Sequence, residues 1–102
     1  MYFDCTTQRH ADTVLVSPTG DVDRDTAPAL QQALEAAAGQ DGATLVDVDL
    51  AGVTFLDSSG IGALLSAHRS ARHAGVRLQI RDAAPQVRTV LDITNVWQML
   101  SA

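Results

Sequence analysis

The chain has 102 residues, which is enough for one core but not for two domains, and its hydrophobic content of 46% is too high for intrinsic disorder. Its 12 acidic residues outnumber seven basic ones, all arginines, so the net charge of −5 disfavours binding to nucleic acid or to anionic lipid. A single cysteine, and the lack of a secretion signal or an apolar run of ~18 residues, predict a cytoplasmic protein without a membrane-spanning helix.

Two strands are predicted at the start of the chain. Phe3–Arg9 has the composition of a short strand, and Thr13–Ser17 is a stronger candidate because it contains a β-branched apolar run. We expect Pro18 and Gly20 to stop the second strand, since both residue types interrupt regular pairing. The short connection between the two strands favours an antiparallel pair.

A helix and a third strand are predicted next. Thr26 is expected to cap the helix, Pro28 lies in its first turn, and Gly39 marks its C-terminal end. The segment Thr44–Leu50 alternates between apolar residues on one face and Leu45 and acidic residues on the other, which is typical of a strand.

The second half of the chain is predicted to form helix, strand and helix. Apolar residues at helical spacing indicate an amphipathic helix that runs to about Ala74, and Val76–Arg81 reads as a strand. Pro85 can open a last helix, and Asn95 can take the left-handed conformation at its end. Residues 96–100 read as a short apolar tail.

This ββαβαβα order predicts an α/β fold. Short connections between alternating strands and helices imply a single layer of mixed, mainly parallel sheet with an antiparallel edge strand, packed by helices. We expect one domain that spans residues 1–102.

The segment Asp57-Ser58-Ser59-Gly60-Ile61-Gly62 is the most informative motif. Residues 51–56 lead from a strand into this segment, and a helix begins there, so its backbone N–H groups lack partners within the helix. Two hydroxyl residues at the positive end of the helix dipole make a candidate acceptor for an anionic group. The alternative is purely structural: Asp57 or Ser58 caps the helix, and the glycines permit close packing.

Phe55–Gly62, preceded by the strand Leu45–Leu50, resembles the signature of the anti-sigma factor antagonists of the STAS domain family. Leu15–Asp23 matches the family's strand and following turn, Thr26-Ala27 matches the start of its first helix, and Val87–Val96 matches its third helix. Each short motif is weak alone, but their order and spacing agree over nearly the whole chain.

The resemblance implies a binding protein that is switched by phosphorylation. Ser58 is the implied acceptor, modified by a partner that is both a serine kinase and an anti-sigma factor, and a serine phosphatase reverses the modification. The unphosphorylated protein binds the anti-sigma factor and releases the sigma factor. No cofactor is expected, since the kinase holds the ATP, and a monomer is favoured. The implied partner-binding residues are Asp21, Asp23, Asp57, Ser58, Ser59, Gly60, Ile61 and Gly62.

Two other functions remain open. The same fold can serve as a small-ligand-binding or transport-accessory module, which an exposed basic or apolar cleft would favour. Nucleotide binding or hydrolysis by the domain itself has less support, because no glycine-rich phosphate loop with lysine is present. Catalysis is not expected: no G-x-S-x-G motif surrounds Ser58, and Cys5 lies in a strand, where it is expected to be a small buried residue.

Overall fold

The computed structural model describes residues 2–101, so residues 1 and 102 of the predicted domain lie outside it. Within the described range the chain forms five strands and four helices. In chain order these are β1 (Phe3–His10), β2 (Thr13–Val22), α1 (Ala27–Ala38), β3 (Leu45–Leu50), β4 (Val53–Leu56), α2 (Ser58–His73), β5 (Arg77–Ala83), α3 (Pro85–Ile93) and α4 (Val96–Leu100). None of these helices has the length and apolar content that crossing a bilayer requires.

The strands form one mixed sheet in the order β1-β2-β3-β5. Strand β1 runs antiparallel to β2, whereas β3 and β4 both run parallel to β2, and β5 runs parallel to β3. Strand β3 pairs with the first part of β2 and β4 pairs with its last part. The predicted α/β fold, a mainly parallel sheet with an antiparallel edge strand, is therefore confirmed.

Strand β2 does not stop at Pro18 or Gly20, so that prediction was wrong. Pairing with β3 ends at Val16 and pairing with β4 begins at Gly20, so Pro18 lies where neither strand needs its missing N–H group. Gly20 instead forms an irregularity with φ +93°, and its N–H donates to Gly52 O at 3.0 Å. The strand bends at Gly20 and continues to Val22.

Two segments for which the sequence predicted neither a helix nor a strand form regular secondary structure. Residues 53–56 form β4, which is stabilised by pairing with the distant end of β2 rather than by its own pattern. Residues 96–100 form α4, with Val96 and Leu100 buried. Asn95 precedes this helix with φ +66°, which confirms the predicted left-handed turn.

One face of the sheet carries the core. Alternate strand residues are buried there, as period-two alternation requires, and α1 and α2 pack over β2 and β5 with Leu30, Leu34 and Leu64 fully buried. Each such side chain contributes about 1.5–3 kcal/mol on burial, so apolar packing holds the two long helices in place. The buried strand positions are Val14, Val16, Pro18, Val22, Val46, Val48, Leu50, Val53, Leu56, Leu78 and Ile80.

Candidate functional site

Ser58 is the first residue of α2, and its side chain is exposed. The short β4 brings the chain to this point, and the Asp57 N–H donates to Val22 O at 3.2 Å, which fixes the connection to the end of β2. The hydroxyl is therefore held on a rigid surface element and is open to a second protein.

Asp57 caps α2. Its Oδ1 atom accepts hydrogen bonds from the N–H groups of Ser59 at 2.9 Å and Gly60 at 3.2 Å. These bonds satisfy two of the free donors at the start of the helix, as an N-cap residue does. The structural interpretation of the motif is therefore confirmed for Asp57, and the role of the exposed Ser58 hydroxyl as an acceptor stays a prediction.

The rest of the motif divides between surface and core. Ser59 is half-buried, whereas Gly60 and Ile61 are buried and pack beneath the exposed residues. A Cβ atom on Gly60 would lie 2.3 Å from Leu56 Cδ1, but one on Gly62 would meet nothing within 4 Å. Gly60 therefore serves close packing and Gly62 does not; a partner contact by this segment stays a prediction.

The two acidic residues predicted to contact a partner have different surroundings. Asp21 is half-buried, and its Oδ1 atom accepts a hydrogen bond from Thr54 Oγ1 at 3.0 Å. Asp23 is only 7% exposed, and its Oδ1 atom accepts from the N–H groups of Asp25 and Thr26. Its Oδ2 atom is buried and has no hydrogen-bond partner among residues 2–101.

The helix α1 begins after Thr26, as predicted, but the Thr26 side chain does not cap it. The turn folds back so that the Thr26 hydroxyl donates to Asp21 O at 2.8 Å and accepts from the Asp23 N–H at 2.9 Å. The Asp23 carboxylate binds the N–H groups of the turn instead. The predicted position of the cap, Thr26, is confirmed. The prediction that its side chain makes the capping hydrogen bond was wrong.

A shallow surface depression joins this turn to the start of α2. Its lining includes Asp23 and Asp57. The structure therefore brings the acidic turn of residues 21–25 next to residues 57–59 at the start of α2, which we call the serine loop. Arg24 and Asp25 also line it, and the sequence analysis did not single them out because a turn gives no periodic signal. The depression is thus acidic, with one arginine at its wall.

The sequence analysis did not predict that two aromatic residues are exposed. Tyr2 is 63% exposed and Phe55 is 49% exposed. Phe55 belongs to a four-residue strand in which Val53 and Leu56 are buried, and so short a run does not reveal which residues face outward.

Cys5 lies away from the serine loop, on β1, and is half-buried. Burial, together with the neighbouring Asp4 carboxylate, raises the pKa of its thiol. Since the thiolate is the reactive form, this environment lowers the fraction of Cys5 that is reactive at neutral pH.

Comparison with known proteins places this site in a wider context. A family model described as "Mlab, STAS domain" matches residues 5–101. The anti-sigma-B factor antagonist of Listeria monocytogenes serovar 1/2a is 28% identical over 93 residues, which are 91% of this chain and 81% of that protein.

Solved structures show the same architecture. The crystal structure of an anti-sigma factor antagonist from Mycobacterium paratuberculosis is 25% identical with a TM-score of 0.85, covering 97% of this chain and 83% of that one. The anti-sigma factor antagonist SpoIIAA in its unphosphorylated form is 20% identical with a TM-score of 0.79, covering 95% of this chain and 85% of that one. SpoIIAA of Bacillus has also been solved in a phosphorylated form, to which this chain is 21% identical with a TM-score of 0.69, over 92% of this chain and 87% of that one. At these identities the SpoIIAA structures show a shared fold alone.

Proposed function

The chain belongs to the STAS domain family, and we propose that it is an anti-sigma factor antagonist that phosphorylation of Ser58 switches off. The unphosphorylated domain binds a kinase-type anti-sigma factor in the cytoplasm and thereby frees the sigma factor. The observation that carries this proposal is the exposed Ser58 hydroxyl, at the start of a helix that Asp57 already caps.

The domain itself supplies an acceptor rather than catalytic groups. The kinase partner transfers the γ-phosphoryl group of its ATP to Ser58 Oγ, a P–O bond forms, the hydroxyl proton leaves and ADP is released. A serine phosphatase later hydrolyses that bond and restores the hydroxyl. In the free domain the new charge lies at the positive end of the α2 dipole, where an anion is favourable by about 0.3–1 kcal/mol.

The acidic depression favours a basic partner. Asp23 Oδ2 is buried without a hydrogen-bond partner among residues 2–101, and an unpaired buried acceptor costs about 1–3 kcal/mol. Asp23, Asp25 and Asp57 line the depression and Arg24 is the one basic residue in its lining, so a cationic side chain of the partner fits it best.

Phosphorylation adds about −1.5 to −2 charge at one point of this surface. In the docked complex, burying that dianion beside Asp57 without a matched cation costs several kcal/mol. Dissociation therefore follows from local repulsion and desolvation, and it needs no refolding of the domain.

Replacing Ser58 with alanine tests the acceptor directly. We expect Ser58→Ala to bind the kinase-type anti-sigma factor with unchanged affinity in calorimetry, but to gain no phosphoryl group in mass spectrometry after incubation with that kinase and ATP. Ser59→Ala is the matched control, because Ser59 is the adjacent hydroxyl and is half-buried, and this variant should gain one phosphoryl group. Phosphorylation that persists on Ser58→Ala and disappears on Ser59→Ala would move the acceptor to Ser59.

A small-ligand module is the second candidate, because a cleft lies on the less buried face of the sheet. Asp47 and Leu15 are register partners there, and Asp47 Oδ1 is 3.5 Å from the Gln79 amide. Arg9 already donates to Ala11 O and Asp41 O, so Arg81 is the arginine available to a ligand. The cleft is lined by Gln8, Arg9, His10, Thr13, Leu15, Asp47 and Arg81.

This alternative predicts that small dicarboxylates at millimolar concentration raise the melting temperature, because a ligand that binds the folded state stabilises it. Arg81→Ala should remove that rise, whereas Arg77→Ala, at the other exposed arginine of β5, should keep it. A melting temperature that stays constant across such ligands would contradict ligand binding by this cleft.

A further inference from the structure

We propose that Arg69, Arg72 and His73 form a binding site for the phosphate group of a small ligand. These three residues, which we call the cationic cluster, lie near the C-terminal end of α2, whereas Ser58 is the first residue of that helix. The proposed function does not use them. The inference therefore goes beyond that function, because it assigns the domain a second site that involves no anti-sigma factor.

Helical spacing places the cationic cluster on one face of α2. Arg72 and His73 follow Arg69 by three and four residues, and side chains at these separations are neighbours on a helix surface. All three are exposed, and together they line a shallow depression of about 370 Å³. This volume is near the lower end of the range of ~300–1,000 Å³ that ligand pockets span, so the depression suits one small molecule.

The arginines of the cluster are not neutralised by acidic side chains. The helix α2 contains no aspartate or glutamate, and among residues 2–101 the one ion pair joins Arg88 to Asp92. Arg69 instead donates from Nη2 to the neutral Ser66 Oγ at 3.3 Å. The donors of both guanidinium groups in the cluster are therefore available to an anion.

One carboxylate contacts α2 from the neighbouring helix. Glu35 of α1 accepts hydrogen bonds at Oε2 from Ser70 Oγ and from the Gln31 amide, both at 3.1 Å. Ser70 directly follows Arg69, and consecutive residues on a helix do not face each other. Ser70 does not line the depression, so Glu35 is engaged at a different face of α2.

The helix dipole explains only part of the cluster. Arg72 and His73 lie in the last turn of α2, where the negative end of the dipole attracts cations. Arg69 precedes that turn, and like charges three residues apart repel each other on a helix. Burial and the positive charges of Arg72 and Arg69 lower the pKa of His68, which shows a positive potential along this part of the helix. An anion bound between the arginines would relieve their repulsion.

A phosphate group matches these donors. Planar guanidinium groups donate paired hydrogen bonds to phosphate oxygens, and such charge-assisted bonds are stronger than neutral ones. A phosphate monoester offers three acceptor oxygens to the three side chains, whereas a carboxylate offers two. The net charge of −5 disfavours a long polyanion, but a small ligand responds mainly to charges within about 8 Å at physiological salt. The cluster therefore fits a small phosphate rather than a nucleic acid or a membrane.

NMR signals of the arginine side chains test the site directly. Wild-type protein is titrated with phenyl phosphate and, separately, with inorganic phosphate, at neutral pH and constant ionic strength. We expect saturable shifts of the Nε–H signals of Arg69 and Arg72, with a millimolar dissociation constant. Tighter binding of phenyl phosphate would support an organic phosphate as the ligand, and equal binding would support free phosphate.

Charge-removing variants locate the site. Arg69→Gln and Arg72→Gln retain a polar side chain of good helix propensity, and each should raise the dissociation constant for phenyl phosphate roughly three- to fivefold. Arg77→Gln is the matched control, because Arg77 is an exposed arginine of β5 that does not line the depression, and it should keep the wild-type value. Circular dichroism should show the wild-type fold for all three variants.

Three results would overturn the inference. Shifts that grow linearly without saturation would mean that phosphate acts only as a salt, and equal affinities of wild type, Arg69→Gln and Arg72→Gln would place binding elsewhere. Binding of glutarate as tight as that of phenyl phosphate would mean that the cluster recognises negative charge rather than phosphate. None of these results depends on phosphorylation of Ser58, so this site and the proposed function fail independently.

Discussion

Phosphoserine at position 58 is expected to weaken binding of the anti-sigma factor by about a thousandfold, which corresponds to ~4 kcal/mol. The loss arises because the dianion would be desolvated beside Asp57, whose carboxylate lines the same depression as Asp23. Ser58→Asp carries a smaller charge, so its affinity should fall in the same direction by a smaller factor. Calorimetry against the anti-sigma factor measures both.

The fold is expected to survive this change. Ser58 is exposed, and an added negative charge at the first turn of α2 is favourable in the free domain. Circular dichroism and thermal melts of Ser58→Asp should therefore match those of wild type or show a slightly higher melting temperature. An unfolded Ser58→Asp variant would contradict release without refolding.

Gln86→Glu provides a matched charge control. Gln86 is exposed and is the second residue of α3, so this variant adds one negative charge at the first turn of a helix that does not line the depression. We expect it to bind with wild-type affinity. Equal weakening by Gln86→Glu and Ser58→Asp would mean that net charge, rather than local repulsion, controls the complex.

Gly60→Ala is expected to destabilise the domain by about 1–2 kcal/mol, which lowers the melting temperature by roughly 5–10 °C. The new Cβ atom would lie 2.3 Å from Leu56 Cδ1 and 2.9 Å from Val22 Cγ1. Both neighbours are buried, with Leu56 at 4% and Val22 at 0% exposure, so neither can swing into solvent. The gain in helix propensity, up to ~1 kcal/mol, offsets only part of this overpacking.

Gly62→Ala is the matched control, on the same helix two residues later. A Cβ atom at Gly62 meets nothing within 4 Å, so the substitution gains helix propensity without a steric cost. We expect its melting temperature to rise by about 4 °C, in line with a gain of up to ~1 kcal/mol. Equal effects of the two substitutions in thermal melts would show that Gly60 does not pack as the structure indicates.

The sequence determined much of the candidate site because the signals there are local. Asp57 followed by two hydroxyl residues and glycines predicts a helix start, and α2 begins at Ser58 with Asp57 as its cap. Alternation predicted the buried face of β3, and Asn95 predicted a left-handed turn. Caps, turns and periodicity depend on neighbouring residues, so one segment contains the whole signal.

The tertiary structure decided what depends on distant partners. Pro18 is compatible with β2 only because β3 and β4 pair on either side of it. Strand β4 forms because it can pair with the end of β2. Asp23 is buried because of the way the turn after β2 packs. Phe55 is the register partner of Asp21, and no local pattern specifies this pairing. Pairing and burial join residues that are far apart in the chain, so they are settled only when the elements pack together.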